Sequence, residues 1–304
     1  MYLEHFQLRE LPFTITPDPD FFMNRAGHQD ALNVMLVALR SGEGFVKVTG
    51  EVGVGKTLLC RTLLKSLSNS FVTATITNPY LQPAMLLHAV ADELGVSHPP
   101  EINQHTLQKL ITKRLLDIHA GGRKVVLCLD EVQAMPVQTL ECLRLLTNIE
   151  TEKRKLIQVV LFGQPELDVL LDHPSVRQLK QRITFSYHLK PLNRLSLKFY
   201  VRHRMAVAGC QSGDIFSEGA LDALYRASSG IPRLINILSH KALLVAFGRG
   251  ERVIKRKHVA AATKDSPEAK QIGRPLAWSY ELFRRLSSVL GAVAIAALLF
   301  HFVT

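Results

Sequence analysis

The sequence is poor in the residues that build disulfide frameworks and metal clusters. Four cysteines occur in 304 residues, and none is spaced as a metal site: Cys60, Cys128, Cys142 and Cys210. Two lie in segments typical of a protein core, which indicates reduced thiols in a cytosolic compartment. The first residues, MYLEHFQLRELPF, contain no apolar run, so no N-terminal signal peptide is expected. Internal repeats and low-complexity tracts are also absent from the sequence.

Acidic residues are outnumbered by basic ones. The 26 Asp and Glu residues face 37 Lys and Arg residues, which gives a formal net charge of +11. This balance favours an acidic partner such as a nucleotide, a nucleic acid or an anionic lipid, without choosing among them. A hydrophobic content of 47% excludes a disordered chain, and 304 residues suit two domains or one domain with an appendage.

The stretch Gly50–Thr57 reads GEVGVGKT and matches the phosphate-binding pattern G-x-x-x-x-G-K-[ST]. A β-prone segment precedes it, and apolar residues at helical spacing follow it. Glycines let backbone N–H groups face phosphate oxygens, Lys56 reaches the β- and γ-phosphates, and the Thr57 hydroxyl is a ligand for Mg²⁺. We predict a site for ATP and Mg²⁺ with nucleotide contacts from Gly50, Glu51, Val52, Gly53, Val54, Gly55, Lys56, Thr57 and Leu58.

A second signal is an apolar run that ends in two carboxylates. Five apolar residues, Val125–Leu129, are typical of a strand buried on both faces of a parallel sheet. Asp130 and Glu131 follow, at the strand end where ligands bind in open α/β sheets. We predict that Asp130 holds Mg²⁺ through its water shell and that Glu131 orients and deprotonates the attacking water. The alternative is a solvated acidic turn, but the phosphate-binding motif (P-loop) at Gly50–Thr57 makes that alternative less favoured.

Strand and helix patterns alternate over residues 28–190 and predict an α/β core with a parallel sheet. Residues 1–27 form an irregular lead-in that we expect to pack on this core. From Pro191 onward the strand patterns stop. Residues 191–264 predict a small all-helical lid, and residues 265–285 predict a linker.

The segment Leu286–Val303 contains no formally charged residue in 18 positions. As a helix it would span about 27 Å, against a hydrocarbon core of about 30 Å. Arginines precede it, at positions 274, 284 and 285, and by the positive-inside rule they keep the rest of the chain in the cytoplasm. We predict a single C-terminal transmembrane helix that anchors the chain in the inner membrane. A buried core helix or a helix lying in the interface is the alternative.

Several stretches together carry a family resemblance: ELPFTITPDPDFF, GEVGVGKT, LDEVQ, LECLRLLTNIET, LFGQPEL, QLKQRITFSYHLKPL and GIPRLIN. A P-loop α/β domain followed by a small helical lid resembles the AAA+ ATPases. These stretches resemble the general secretion pathway protein A (ExeA-type) family over residues 1 to about 265. Within that family the chain is most similar to the short member that accompanies the mannose-sensitive haemagglutinin (MSHA) type IV pilus.

The resemblance implies roles for further residues. Gln164 fits the sensor 1 position, from which a polar side chain touches the γ-phosphate or the lytic water. Arg233 matches the sensor 2 arginine, whose guanidinium suits a phosphate. Arg182 matches an arginine finger delivered to a neighbouring subunit, with Arg177 as the second choice. The alternative for Gln164 is a loop side chain without a ligand, and for Arg233 and Arg182 it is an exposed charge without a partner. The resemblance also implies a homo-oligomer, pilus or secretion assembly proteins of the inner membrane as partners, and contact with membrane lipid.

These features predict a membrane-anchored ATPase that supports assembly of a type IV pilus or a type II secretion complex. One alternative is a DNA-binding AAA+ ATPase of the transposition-helper or initiator kind, which the apolar segment disfavours without excluding nucleic acid. Another is a nucleotide-binding scaffold with little hydrolysis, against which Glu131 argues. We interpret the basic run Arg249–Lys257 as a solvated face of the lid, with contact to nucleic acid or lipid headgroups as the alternative.

Overall fold

A computed structural model of the protein describes residues 2–16, 21, 26–67, 69–149, 155–211 and 214–272. Five strands form one sheet: β1 (Phe45–Gly50), β2 (Phe71–Ile76), β3 (Lys124–Leu129), β4 (Ile157–Gly163) and β5 (Ile183–Leu189). Their order is β2-β3-β4-β1-β5, and every neighbouring pair is parallel. The predicted parallel sheet is therefore confirmed.

The core helices cover both faces of the sheet. They are α1 (Ala26–Ser41), α2 (Lys56–Ser66), α3 (Pro83–Glu93), α4 (Gln104–Ala120), α5 (Val137–Leu146), α6 (Glu166–Leu171) and α7 (Arg177–Arg182). Side chains alternate along each strand, so Val160 and Phe162 of β4 pack with α1 and α2, whereas Val159 and Leu161 pack with α3, α4 and α5. Burial on both faces explains the continuous apolar runs in β3 and β4.

The lid consists of helices α8 (Arg194–Val207), α9 (Glu218–Ser228), α10 (Pro232–Gly248), α11 (Arg256–Lys264) and α12 (Pro267–Ile272). These helices enclose a hydrophobic core separate from the two cores that flank the sheet. Helix α12 lies inside the stretch expected to be a linker, and its Ala269 is buried in the lid core. The lid therefore continues beyond residue 264, where the sequence patterns placed its end.

The N-terminal lead-in packs on the lid and not on the α/β core, which corrects the sequence-based expectation. Its buried aromatic side chains, Tyr2, Phe6, Phe13 and Phe21, join the lid core. Polar contacts also hold the same segment. The backbone N–H of Arg9 donates to the Ala208 carbonyl at 2.8 Å. Arg204 Nε donates to the Pro12 carbonyl at 2.5 Å. The physical reason is that the lid presents apolar surface on α8 and α10 that these rings cover.

Within the described ranges, no helix is both long enough and apolar enough to cross a membrane. The predicted anchor, Leu286–Val303, lies outside those ranges.

Candidate active site

Three strand ends meet at one edge of the sheet. Strand β4 lies between β1 and β3 and runs parallel to both. The loop that begins at Gly50, the pair Asp130–Glu131 and Gln164 each come after one of these strands. Parallel strands end on the same side, so the topology brings all three predicted elements of the site together.

The phosphate-binding loop depends on left-handed glycines. Gly53 has φ 79° and Gly55 has φ 105°, a region that other residues rarely adopt. Helix α2 begins at Lys56, directly after Gly55, so the loop leads into a helix N-terminus. This arrangement presents backbone N–H groups and the positive end of the helix dipole to an anion.

Lys56 lies inside this loop and is almost fully buried. Its ammonium donates to the carbonyl oxygens of Gly50 at 2.8 Å and Glu51 at 3.1 Å. Burial lowers the pKa of Lys56 below its ordinary value, and the nearby Glu131 and Asp130 carboxylates oppose that change. The loop therefore holds a cation at its centre, close to two carboxylates.

The two predicted magnesium ligands are in direct contact. Thr57 Oγ1 donates to Asp130 Oδ2 at 2.7 Å, and the other Asp130 oxygen accepts the backbone N–H of Glu131 at 2.9 Å. Mg²⁺ prefers hard oxygen donors and usually keeps several waters while it binds one or two protein oxygens plus substrate phosphates. A hydroxyl and a carboxylate beside a phosphate-binding loop fit that requirement.

Glu131 is held by two carboxamides. Its Oε2 accepts from Gln133 Nε2 at 2.7 Å and from Gln164 Nε2 at 3.0 Å. Burial raises the pKa of Glu131, but the two amide donors and Lys56 outweigh it and leave the pKa below its ordinary value. Glu131 is therefore ionised at neutral pH, as a general base must be.

Two side chains of the site were not predicted from the sequence. Gln133 contacts Glu131 and also accepts the backbone N–H of Gln164 at 2.9 Å. His28 of α1 donates from Nε2 to the Val54 carbonyl at 3.0 Å and so supports the phosphate-binding loop. The sequence signal for Gln133 is its position two residues after Glu131, whereas His28 has no local motif to mark it.

Comparison with known proteins places the chain in a family. The model of the AAA domain family matches residues 39–171. General secretion pathway protein A from Aeromonas hydrophila is 44% identical over 262 residues, which cover 86% of this chain and 48% of the relative. The chain thus spans about half the length of the curated relative it matches. This chain belongs to the family of general secretion pathway protein A and contains an AAA domain.

Solved structures of the same fold include proteins that differ widely in sequence. Cdc6p from Pyrobaculum aerophilum has a TM-score of 0.62 at 18% identity, over 82% of this chain and 71% of that one. The Aeropyrum pernix ORC1 protein in complex with DNA has a TM-score of 0.59 at 20% identity, over 84% of this chain and 69% of that one. At identities this low, the comparison shows that the fold of the core and lid is shared, and nothing beyond the fold.

In this member of the family, Arg233 lies where the lid meets the phosphate-binding loop. Its backbone N–H donates to the Gly53 carbonyl at 3.1 Å, and its side chain is exposed. A Cβ on Gly53 would lie 2.7 Å from the Cβ of Arg233, so glycine permits this close approach. The first turn of α10 is therefore fixed against the loop that would receive the phosphates.

The two candidate finger arginines differ in their surroundings. Arg182 is half-buried, and its Nη1 donates to the Arg144 carbonyl and to Thr147 Oγ1, each at 3.3 Å. Arg177, the first residue of α7, is exposed. The contacts of Arg182 are with α5 and the residue that ends it, and a role in a neighbouring subunit stays a prediction for both arginines.

Proposed function

We propose that the protein binds ATP with Mg²⁺ at the carboxyl edge of the sheet and hydrolyses it there. The observation that carries this proposal is the contact set around two strand ends. Thr57 Oγ1 lies 2.7 Å from Asp130 Oδ2, and Glu131 Oε2 lies 3.0 Å from Gln164 Nε2. These contacts support a metal-binding pair and a held general base beside a phosphate-binding loop.

The chain's own residues divide the work of hydrolysis. Lys56 and the backbone N–H groups of the loop bind the β- and γ-phosphates, and Arg233 contacts phosphate from the lid. Thr57 and, through water, Asp130 would hold Mg²⁺, which would supply positive charge to offset the negative charge of the phosphates. Glu131 accepts the proton of the attacking water. Since both amide donors occupy Oε2, Oε1 is the oxygen left for that proton.

We further propose that the ATPase works as a homo-oligomer anchored in the inner membrane by Leu286–Val303. Its partners would be assembly proteins of a type II secretion complex or of an MSHA-like type IV pilus. The likeness to general secretion pathway protein A supports the secretion connection, and the uncharged segment supports the anchor.

A DNA-binding ATPase is the second candidate. The Aeropyrum pernix ORC1 protein of the same fold was solved in complex with DNA. In the basic run Arg249–Lys257, both lysines pair with Glu251, while Arg249, Arg252 and Arg256 are exposed on the lid. Binding to duplex DNA that weakens steeply with salt would favour this candidate.

Two substitutions test the proposed hydrolysis. Lys56→Ala should abolish ATP binding, because the main side-chain cation on the β- and γ-phosphates is removed. Glu131→Gln should retain ATP binding and stop turnover, because only the base is removed. Lys65→Ala is the matched control, since Lys65 is exposed in the last turn of the same helix. Parental turnover in Glu131→Gln would show that Glu131 is not the catalytic carboxylate.

A further inference from the structure

Gln133 uses both ends of its carboxamide inside the site. Its Nε2 donates to Glu131 Oε2 at 2.7 Å, and its Oε1 accepts the backbone N–H of Gln164 at 2.9 Å. Gln164 closes the triangle by donating from Nε2 to the same Glu131 oxygen at 3.0 Å. Three hydrogen bonds thus join the residue after β4 to the second carboxylate after β3.

The backbone around Gln133 is shaped to allow this triangle. Glu131 has φ 52° and precedes a short 3₁₀ turn, Val132–Ala134, which carries Gln133 back toward the sheet. Gly163 ends β4 directly before Gln164. A Cβ at Gly163 would lie 3.2 Å from Gln133 Oε1 and 2.7 Å from Leu167 Cδ2, so a glycine makes the necessary room.

The triangle determines which oxygen of Glu131 is available. Both amide donors go to Oε2, which fixes the plane of the carboxylate and leaves Oε1 without either amide. A carboxylate held by only one amide can rotate about its terminal torsion, which is broad for Glu. The second amide is therefore what distinguishes a fixed base from a mobile one.

We propose that Gln133 is a positioning residue for ATP hydrolysis, which holds Glu131 and Gln164 as one unit with the free Glu131 oxygen directed at the attacking water. This role rests on the proposed hydrolysis at the site. Gln133 touches neither nucleotide nor water in this role, so its loss acts on the chemical step and spares ATP binding.

The test is Gln133→Met, which keeps the length of the side chain and removes its donor and acceptor. We expect kcat to fall by about 10- to 100-fold, the range typical of lost outer-shell orientation, with the Kd for a slowly hydrolysed ATP analogue unchanged. Gln133→Glu keeps an acceptor for the Gln164 N–H but places a like charge against Glu131, so its kcat should fall further. Gln108→Met, at an exposed position of α4, is the matched control and should retain the parental kcat.

A double variant distinguishes positioning from a separate contribution. If Gln133 and Gln164 act as one unit, Gln133→Met with Gln164→Met should lose no more kcat than the more damaging single variant. Additive losses would overturn the proposal, and so would a rise in the analogue Kd with kcat unchanged. Parental kcat in Gln133→Met would overturn it while the proposed function stands. An absence of turnover in the parental protein would overturn both, since no hydrolysis would remain for Gln133 to serve.

Discussion

At the scale of single residues, the proposed metal site is built on the contact between Thr57 and Asp130. The Asp130 carboxylate is mostly buried, and one oxygen accepts from the Thr57 hydroxyl while the other accepts the Glu131 N–H. Asp130 therefore contacts both the proposed metal ligand, Thr57, and the proposed catalytic carboxylate, Glu131. Its negative charge also attracts the cation that accompanies the phosphates.

We expect Asp130→Asn to raise the Mg²⁺ concentration needed for half-maximal hydrolysis by about 10- to 100-fold, the cost usually seen for a lost outer-shell carboxylate. The amide keeps the shape and an acceptor but loses the charge. The measurement is a Mg²⁺ titration of ATPase rate at saturating ATP, with Asp172→Asn, an exposed carboxylate on α6's C-terminal side, as control. An unchanged midpoint would mean that Asp130 does not support the metal.

The site residues predicted without the family resemblance are those that stand at fixed positions in a local motif, whereas Gln164 and Arg233 are predicted from the resemblance. Lys56 and Thr57 sit at fixed offsets in the glycine loop, and Glu131 follows Asp130 directly. Gln133 was missed because its link to Gln164, 31 residues away and directly after β4, is not visible in the sequence, although Glu131 is only two residues away. Such a contact depends on which strands are neighbours in the sheet, and the strand order cannot be predicted from a single sequence.

At the scale of elements, the junction between core and lid rests on one glycine. Gly230 lies between α9 and α10, with φ 79°, and its carbonyl accepts the Leu192 N–H at 2.9 Å. A Cβ at Gly230 would lie 1.9 Å from the Leu192 carbonyl oxygen, a backbone atom with little freedom to move. Arg233 comes three residues later, in α10, and its backbone contacts the phosphate-binding loop. A displacement of Gly230 would therefore also displace the loop contact.

Gly230→Ala should therefore destabilise the protein by at least about 1–3 kcal/mol, the usual cost of a left-handed non-glycine residue, with the clash in addition. It should also raise the KM for ATP, because α10 is displaced from Gly53. Gly219→Ala is the matched control. Gly219 lies in α9 with open space around it, and alanine there should stabilise by up to about 1 kcal/mol. Thermal unfolding and ATPase kinetics check both variants. Equal melting temperatures for Gly230→Ala and the parental protein would contradict the proposed role of Gly230 between α9 and α10.

The elements predicted from the sequence are those with enough residues to show a period. All five strands and the longer helices had such patterns. Helices α6, α7 and α12 span six residues each, less than two turns, and gave no helical period. The prediction for the lead-in was wrong for a different reason. Its aromatic residues indicate burial, but the sequence of an irregular segment does not indicate which domain it packs on.

At the scale of the whole molecule, substitutions of Arg177 and Arg182 test whether neighbouring subunits share an active site. Arg182 would have to leave its two contacts at α5 to reach a neighbour, whereas Arg177 is exposed. We therefore expect Arg177→Ala to retain ATP binding and lose hydrolysis, with partial recovery when mixed with Glu131→Gln protein. Mixed interfaces then contain both the arginine and the base.

Arg182→Ala is the comparison in the same mixing experiment. It should lower the melting temperature, because the end of α5 loses a donor, and it should show no recovery. Recovery with Arg182→Ala and none with Arg177→Ala would return the finger to Arg182. No recovery with either, once subunit exchange is verified, would count against a shared site.

The membrane anchor belongs to the same scale, and its basis is the sequence alone. Leu286–Val303 has no formal charge, while arginines precede it at positions 274, 284 and 285. Ala269 is buried in the lid core, so a truncation after Ile272 keeps α12 and the other lid helices within the described residues while it removes the apolar segment. That truncated protein should retain ATPase activity and appear in the soluble fraction.

The full-length protein should stay with the membrane through a high-salt, alkaline wash. Salt strips proteins held by basic patches, because it screens exposed charges, whereas a spanning helix stays in the lipid. Ala294→Asp should weaken insertion by about 2.5–3.5 kcal/mol, since a carboxylate would lie near the middle of the bilayer. Ala277→Asp is the matched control, because the same change there lies outside the apolar segment and should leave the protein in the membrane fraction. If the full-length protein washes off like the truncated one, the anchor proposal is wrong. The exposed arginines of the lid would then have to be explained by another acidic partner, and duplex DNA would be the first to test.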